Sequence, residues 1–357
     1  MANGVIRVGL VGAGANTRLR HIPGIREQQG VEIVGVANRS RESGERIAGE
    51  YEIPKVYDNW RQLIDDDEID AVCIGTWPYM HRTLVLEALA AEKHVLCEAR
   101  MAMNAKEAHD MLDASRRKPH LVAQIVPAPA TLVVDETIIE HVANGYLGEI
   151  LAVRLRVADA HGRVDGGAAD TFVHPEAPLH WRQNRDLSGY NILGMGIWYE
   201  SLMRYVGPAA KVMAMTKVCV PRRMDEDGHL AAVSVPDHVN VICQMASGAQ
   251  ADLSWSTITG MQTGSEMWLF GTEGTLLLKG PPMTSLFGGR RGDSELKEIV
   301  IPENKKGGWR VEEEFINAIR GEEPVTRTPF DVGVQYMEWT EAVTRSSQTG
   351  QAISLPL

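Results

Sequence analysis

The first third of this 357-residue chain alternates short apolar runs with longer stretches of helical periodicity. Such alternation is typical of a parallel sheet whose strands are joined by crossover helices. The strands of this sheet are predicted at residues 5–11, 31–37, 71–75, 94–97 and 121–126. Pro127 and Pro129 end the pattern, because proline cannot donate a hydrogen bond within a sheet. We therefore predict a doubly wound α/β domain over residues 1–125.

Residues 126–357 follow a different pattern, in which strands alternate polar and apolar residues and succeed one another without helices between them. A period of two is typical of an open, mainly antiparallel sheet with one solvated face. Strands are predicted at residues 153–157, 211–220, 238–245, 250–258, 266–270 and 275–279, and helices at 132–144, 192–205, 310–320 and 332–346. The second domain is therefore predicted as α+β, with one large open sheet backed by helices.

The net charge and the lack of long apolar runs argue against nucleic acid and membranes as partners. Asp and Glu total 47 against 36 Lys and Arg, a net charge of -11, which argues against nucleic acid because its binders carry excess positive charge. No apolar run reaches the roughly 18–20 residues of a membrane span. The N-terminus lacks the pattern of a signal peptide. We therefore expect a cytoplasmic protein with no membrane partner.

The four cysteines, Cys73, Cys97, Cys219 and Cys243, have neither CxxC spacing nor the density of a disulfide scaffold. We expect them to be reduced, buried thiols. No HExxH motif and no Cys or His spacing indicates a metal site, so we expect no metal. The alternative is a divalent ion held by Asp159 with His161 or by Asp170 with His174, which are suitable ligand types.

The turn after the first strand reads Gly12-Ala13-Gly14-Ala15-Asn16-Thr17, and a helical pattern follows it. Two glycines let the backbone turn tightly and approach a pyrophosphate at the positive end of the helix. Thr17 replaces the third glycine of the usual G-x-G-x-x-G motif. The preceding strand, the following helix and a second strand about 20 residues later are the context that the motif needs. The alternative is a glycine turn that holds no ligand.

At the end of the second strand the chain reads Asn38-Arg39-Ser40-Arg41. An NAD-binding protein normally carries an acidic residue here for a ribose hydroxyl, and none is present. The two arginines can pair with a 2′-phosphate, assisted by Ser40 and Asn38. The sequence therefore favours NADP as the cofactor. NAD stays an alternative, as does a purely solvated role for these residues.

Several segments, in this order, resemble the Gfo/Idh/MocA oxidoreductase family across essentially the whole chain. These segments are Gly12-Ala13-Gly14 with His21, residues 53–60 and 69–74, Thr76-Trp77-Pro78 followed by His81, and residues 94–98, 146–150, 181–182 and 270–275. The resemblance implies a Rossmann domain followed by an α/β domain with a large open sheet, a nicotinamide cofactor, and a homo-oligomer, dimer or tetramer. It also implies that Thr76, Trp77, Pro78, His81 and Glu98 line the cofactor, with Ala99 beside it.

The sequence departs from the family pattern at two places. Members usually carry Glu-Lys-Pro where this chain has Glu98-Ala99-Arg100, and alanine cannot replace lysine in moving a proton. They also carry Asp-x-Gly-x-His-x-x-Asp where this chain reads 194–201, so that Trp198 occupies the histidine position. The usual alcohol-oxidation chemistry is therefore predicted to be altered or absent.

Other polar residues are candidates for the missing roles. We predict His180 and Tyr199 as general acid and base, because histidine titrates near neutrality and a tyrosine hydroxyl can relay a proton. Arg100 and Arg182 are predicted anion anchors, with Arg100 also placed among the catalytic residues. Tyr79, Trp181 and Trp198 are predicted to contact the substrate. The alternative for each is a structural role, in a hydrogen-bonded loop, an ion pair or a packed interior.

The sequence thus predicts an NAD(P)-dependent oxidoreductase that acts on a small, sugar-derived or polyhydroxylated, acidic or neutral substrate. Two alternatives stay open. One is a lyase, decarboxylase or hydrolase built on the same fold, which the missing lysine and histidine favour. The other is a non-catalytic NADP-binding sensor.

Overall fold

The computed structural model describes residues 4–158, 162–163, 169–170, 173–192, 194–262, 264–280 and 283–357. The chain forms two compact units. Unit 1 comprises Met1–Pro127 and Arg310–Met337, and unit 2 comprises Ala128–Trp309 and Glu338–Leu357. The first break lies two residues from the predicted boundary at 125. The second break was not predicted, because the sequence placed residues 126–357 in one domain, whereas 310–337 pack with unit 1.

The helices, from both units, have the following bounds. They are α1 (Ile22–Arg26), α2 (Arg41–Glu50), α3 (Trp60–Ile64), α4 (Pro78–Ala90), α5 (Ala105–Arg116), α6 (Asp135–Ala143), α7 (Arg185–Ser188), α8 (Met195–Val206), α9 (Val311–Arg320) and α10 (Phe330–Thr349). A π-helical turn, Thr17–His21, precedes α1, and a 3₁₀ turn, Trp181–Gln183, precedes α7. A second 3₁₀ turn spans Glu303–Lys305.

Unit 1 is built on a six-stranded parallel sheet in the order β3-β2-β1-β4-β5-β6. Its strands are β1 (Ile6–Val11), β2 (Val31–Ala37), β3 (Lys55–Tyr57), β4 (Ala71–Ile74), β5 (His94–Cys97) and β6 (Ala123–Ile125). The predicted doubly wound sheet is confirmed. Val8 and Leu10 are fully buried, as expected of central strands covered on both faces. The order reverses between β1 and β4, which creates the switch point where ligands bind in such sheets.

Unit 2 is built on a nine-stranded sheet in the order β18-β17-β16-β15-β7-β14-β13-β10-β19. The strands of this unit are β7 (Ile150–Ala158), β8 (Gly162–Arg163), β9 (Ala169–Asp170), β10 (Ala209–Lys217), β11 (Arg222–Met224), β12 (Leu230–Ala232), β13 (His238–Met245), β14 (Gln250–Ser256), β15 (Ser265–Gly271), β16 (Gly274–Gly280), β17 (Ser285–Arg290), β18 (Lys297–Ile299) and β19 (Ile353–Ser354). Only the β7–β14 pair is parallel among the neighbours in this sheet. The predicted large, mainly antiparallel sheet is confirmed.

One face of the unit 2 sheet is covered and the other is open. On the covered face, the indole of Trp339 on α10 lies 3.3 Å from the Cys243 sulfur and stacks on the Tyr199 ring of α8 with centroids 4.0 Å apart. On the open face, Met213, Met215 and Ile242 are more than half exposed. This face is called the open sheet face below.

The four cysteines are free thiols. Cys73, Cys97 and Cys243 are buried, as predicted, whereas Cys219 is partly exposed. In the described parts of the chain, no helix has both the length and the apolar character needed to cross a membrane.

Candidate functional site

The glycine turn follows β1 at the carboxyl edge of the unit 1 sheet. Gly12 has φ +83°, a conformation that L side chains rarely adopt, and a Cβ there would lie 2.8 Å from the Thr76 side chain. Gly14 differs, because a Cβ there would make only one contact, at 3.6 Å, with the Gly75 carbonyl oxygen. Gly14 and Ala15 are exposed. The turn is therefore closed toward the protein at Gly12 and open to solvent at Gly14, as a phosphate cradle requires.

The turn is tied to the neighbouring strand ends by short polar contacts. Thr17, which stands at the third glycine position, is buried and donates its hydroxyl to the Gly12 carbonyl oxygen at 3.1 Å. A Cβ on Gly75 would lie 2.1 Å from the Thr17 hydroxyl oxygen, so the two segments are in close contact. Oγ1 of Thr76 is buried and has no hydrogen-bond partner among the described residues. An unsatisfied hydroxyl beside an open glycine turn fits a bound polar ligand such as a dinucleotide.

The four residues after β2, 38–41, make different contacts. Asn38 accepts a hydrogen bond from the Ala13 amide at 2.8 Å and so braces the glycine turn. Ser40 caps α2 by accepting from the Ser43 amide. Arg41 is paired with Glu45 and Asp58, at 2.8 and 2.5 Å. Arg39 is exposed and makes no hydrogen bond or ion pair with any described residue. Of the two arginines, Arg39 is therefore the one with an unengaged guanidinium.

A buried charged cluster lies beneath the same edge and consists of Asn16, His21, Glu98 and Glu312. The His21 ring has no exposed surface, and its Nε2 lies 2.9 Å from Glu98 Oε1 while its Nδ1 lies 2.5 Å from Glu312 Oε1. Asn16 also donates to Glu98 Oε1, and the Ala99 amide donates to Oε2 at 3.1 Å. Burial alone would lower the pKa of His21, but hydrogen bonds to the two carboxylates outweigh it and raise that pKa to about 9. The ring is therefore an imidazolium at neutral pH.

Glu98 keeps its negative charge in this cluster. Burial favours the neutral acid, but hydrogen bonds from His21 and Asn16 prevail and lower the pKa of Glu98. Its side chain stays 14% exposed. Glu312 was not predicted as part of the site. It comes from α9, 291 residues beyond His21, and no local pattern in the sequence pairs the two.

His81 differs from the expectation that it lines the cofactor. It is completely buried, and its nitrogens lie 3.0 Å from the carbonyl oxygens of Thr76 and Arg100 and 3.2 Å from that of Met101. Burial lowers the pKa of His81, so the ring is neutral. His81 thus braces the loops after β4 and β5 and presents no surface to a ligand.

The residues between Thr76 and His81 form the start of α4. Trp77 is the N-cap and Pro78 the first helical residue. Tyr79 is 42% exposed, and its ring meets that of Trp77 edge to face with centroids 6.5 Å apart. Tyr79 therefore keeps the accessibility that the predicted substrate contact requires.

Arg100 does not present an accessible anion anchor. Its side chain is 2% exposed and ranks among the largest fully buried side chains of the chain. An anion anchor must reach a ligand that arrives from solvent, so the predicted catalytic role of Arg100 does not fit its position. The sequence could not show this, because arginine is ordinarily a surface residue.

Tyr199 was predicted as a proton-transfer residue, and the structure contradicts this. The side chain is 1% exposed, and its hydroxyl oxygen accepts a hydrogen bond from the Ala209 amide at 2.8 Å. Burial raises the pKa of Tyr199, whereas a proton relay needs it lowered. Tyr199 is a packing residue, stacked on Trp339.

His180, Trp181 and Arg182 lie at the start of the 3₁₀ turn of unit 2. His180 is exposed, and its Nδ1 accepts from the Arg182 amide at 3.2 Å. Because Nδ1 is an acceptor, the proton of the neutral ring is on Nε2. The Arg182 guanidinium lies over the Trp181 ring, 4.2 Å from its centroid. The three side chains form an exposed group with one cation, one aromatic ring and one titratable nitrogen.

Trp198 on α8 is half-buried at a small apolar cavity of unit 2. The cavity is lined by Leu155, Val157, Met195, Trp198, Tyr199, Val239, Val241, Leu253, Ser254, Trp255 and Trp339. Residues 159–161, 164–168 and 171–172, part of the polar segment that precedes His180, lie outside the described residues.

Comparison with known proteins agrees with this geometry. A family model described as "Oxidoreductase family, NAD-binding Rossmann fold" matches residues 6–125. A second, described as "GFO/IDH/MocA C-terminal domain", matches residues 136–277. Among curated relatives, a trans-1,2-dihydrobenzene-1,2-diol dehydrogenase of Bos taurus is 27% identical over 281 residues, which are 78% of this chain and 74% of the relative.

Solved structures show the same fold. An oxidoreductase domain protein from Kribbella flavida superposes with a TM-score of 0.85 at 20% identity, covering 99% of this chain and 100% of that one. Levoglucosan dehydrogenase in complex with NADH and L-sorbose superposes with a TM-score of 0.84 at 20% identity, covering 98% and 99%.

Proposed function

Because the chain belongs to the Gfo/Idh/MocA family of NAD-binding oxidoreductases, we propose that it transfers a hydride to or from a sugar-derived or polyhydroxylated substrate. The observation that carries this proposal is the glycine turn, which is closed at Gly12, open at Gly14 and bordered by the unsatisfied Thr76 hydroxyl. A bound nicotinamide dinucleotide would supply the hydride acceptor or donor.

The residues of unit 1 would hold the dinucleotide as follows. The amides after Ala13 would receive the pyrophosphate, because the Ala13 amide is already bonded to Asn38, and Thr76 would gain the hydrogen-bond partner that it lacks. Asn16, Thr17 and Asn38 fix the turn rather than contact a phosphate, since their side chains are engaged with Glu98, Gly12 and Ala13.

NADP is the proposed cofactor, with NAD as the alternative. None of the four residues after β2 is acidic, and Arg39 keeps its guanidinium unengaged beside the position where a 2′-phosphate would lie. NADH-bound structures among the neighbours support a nicotinamide cofactor in general.

Proton transfer is assigned to His180, the predicted acid–base candidate that is accessible. An imidazole with Nδ1 occupied as acceptor holds a proton on Nε2 that it can exchange with a substrate hydroxyl or a bound water. Arg182, stacked on Trp181, would orient an acidic or hydroxyl-rich substrate, with further contacts from Tyr79 and Trp198. The relatives named above are dehydrogenases whose names refer to cyclic hydroxyl compounds, which supports this substrate class.

The direct test follows absorbance at 340 nm with NADPH or NADP and panels of sugars, sugar acids and cyclitols. Substrate-dependent absorbance change with matching product mass is the expected result. Cleavage of a substrate bond without consumption of cofactor would contradict the proposal and favour a lyase, decarboxylase or hydrolase. Cofactor binding without any turnover would contradict the proposed oxidoreductase activity and favour a non-catalytic NADP-binding sensor.

A homo-oligomer is proposed through the open sheet face. Its exposed Met213, Met215 and Ile242 are apolar groups that a second copy would cover. Sedimentation velocity should give a dimer or tetramer for the wild type. Ile242→Lys should shift the protein toward monomer, while Leu230→Lys, an exposed apolar site on the β11–β12 hairpin, should not. A monomeric wild type would refute the proposal.

A further inference from the structure

The cluster beneath the glycine turn contains two residues to which no role has been given, His21 and Glu312. Both are buried, and both belong to unit 1 although they lie on segments at opposite ends of the chain. Burying a cation and two carboxylates is costly unless each is well paired. Stability alone does not explain such a cluster, since apolar residues of similar size would pack there at no electrostatic cost.

The hydrogen bonds of the cluster converge on the Glu98 carboxylate. Oε1 accepts from Asn16 and His21, and Oε2 accepts from the Ala99 amide. A carboxylate has about four acceptor positions, so one remains on a side chain that is still 14% exposed. Glu98 is thus an oriented acceptor with room for one further donor.

The strand order of the sheet indicates which donor would occupy the remaining acceptor position of Glu98. In doubly wound sheets a dinucleotide crosses the switch point, with its adenosine half over the end of the second strand. Glu98 follows β5, on the opposite side of that point from β2. The nicotinamide half, with its ribose hydroxyls, therefore falls on the side of Glu98.

We infer that His21 and Glu312 are positioning residues, which hold the Glu98 carboxylate as the acceptor for a ribose hydroxyl of the nicotinamide half, an inference that rests on the proposed function. Glu312 contacts the Nδ1 side of the ring and so keeps the other nitrogen, Nε2, pointed at Glu98. A neutral imidazole donates from one nitrogen only, so the charged ring is the form that satisfies both carboxylates.

Three further titratable groups near the cluster, Cys73, Cys97 and His81, are uncharged around neutral pH. Cys73 and Cys97 lie close to Glu98, and burial raises the pKa of each thiol. His81 is neutral because burial lowers its pKa. His21 is the charged group that bonds Glu98, and Glu312 in turn bonds His21, so these two are the groups to change.

The test compares Glu312→Gln with Glu314→Gln. Both residues are on α9 and almost fully buried, but Glu314 bonds Gln124 and Thr326 instead of His21. Calorimetry should show Glu312→Gln weakening NADPH or NADH binding about tenfold, the effect of one weakened charge-assisted hydrogen bond. ADP, which lacks the nicotinamide half, should bind unchanged. Glu314→Gln should leave all affinities within about twofold.

A second readout does not depend on cofactor. In ¹⁵N-histidine NMR spectra, wild-type His21 should stay doubly protonated at pH 7.5, and Glu312→Gln should lower its pKa. A neutral His21 in the folded wild type overturns the inference, as does an equal loss of ADP and NADPH affinity or an equal effect of Glu314→Gln. A charged His21 in a wild type that binds no dinucleotide instead overturns the proposed function, and the positioning role with it.

Discussion

The two regions that the sequence singled out as functional differ in how their side chains are placed. At the carboxyl edge of unit 1, the motif residues Asn16, Thr17 and Asn38 brace one turn. In unit 2, the predicted acid–base pair separates, because His180 is exposed while Tyr199 is packed on Trp339. In unit 1, neighbouring residues of the motif determine where the side chains lie. In unit 2, the exposure of a side chain depends on which face of its helix is covered, and residues far apart in sequence determine that packing.

The largest effect is expected when each member of the predicted acid–base pair is changed in turn. His180→Gln should lower kcat at least 100-fold, the usual contribution of a general acid or base. Tyr199→Phe should change kcat less than about twofold and lower stability by about 1–3 kcal/mol, because it leaves the Ala209 amide buried without a partner. Steady-state kinetics and urea unfolding measure the two effects. A large loss of kcat in Tyr199→Phe with an intact fold would restore its catalytic role.

The glycine turn can be tested in the same manner. Gly14→Ala should weaken NADPH binding at least tenfold, because the new methyl group occupies the open side where the pyrophosphate approaches. Its melting temperature should change little, since a Cβ there meets the protein only at an ordinary contact distance. Gly49→Ala, on the surface of α2 with nothing within 4 Å, is the matched control. Unchanged affinity in Gly14→Ala would mean that the turn holds no phosphate.

The two arginines after β2 should differ in their effect on cofactor preference. Arg39→Ala should weaken NADPH binding about tenfold and leave NADH binding unchanged, since only the 2′-phosphate differs. Arg41→Ala should have a smaller effect, because that side chain is already paired with Glu45 and Asp58. Equal losses for both cofactors in Arg39→Ala would argue against a phosphate contact.

The pH dependence of unfolding tests the charge of His21 without cofactor. The pKa of His21 is about 9 in the folded chain against 6.5 for an unperturbed histidine. Its contribution to stability is therefore complete below pH 6.5 and lost as the pH rises through 9, at most about 3 kcal/mol. Urea unfolding between pH 6 and 9.5 should show this loss in the wild type but not in His21→Gln. Parallel curves would show that His21 is not charged in the folded state.

The sequence predicted the sheets well because their signals are local. The strand–Gly12–Gly14–helix order and the alternation in β13 each depend on neighbouring residues, and the structure confirms both elements. The short strand β3 was missed, since three residues carry too little periodicity. Arg100 and Tyr199 were misjudged because residue type alone does not reveal burial.

Residues 310–337 belong to unit 1 but follow most of unit 2 in the sequence, which affects the order in which the two units can fold during translation. The ribosome delivers β1 to β6 first, yet α9, with buried Phe315 and Ile316, emerges only after residues 128–309 have been made. At ordinary elongation rates that interval is roughly 10–40 s. During it the nascent His21 has no Glu312, so unit 1 begins first but stays incomplete until most of unit 2 has been made, and a fragment that stops at residue 127 would never be complete.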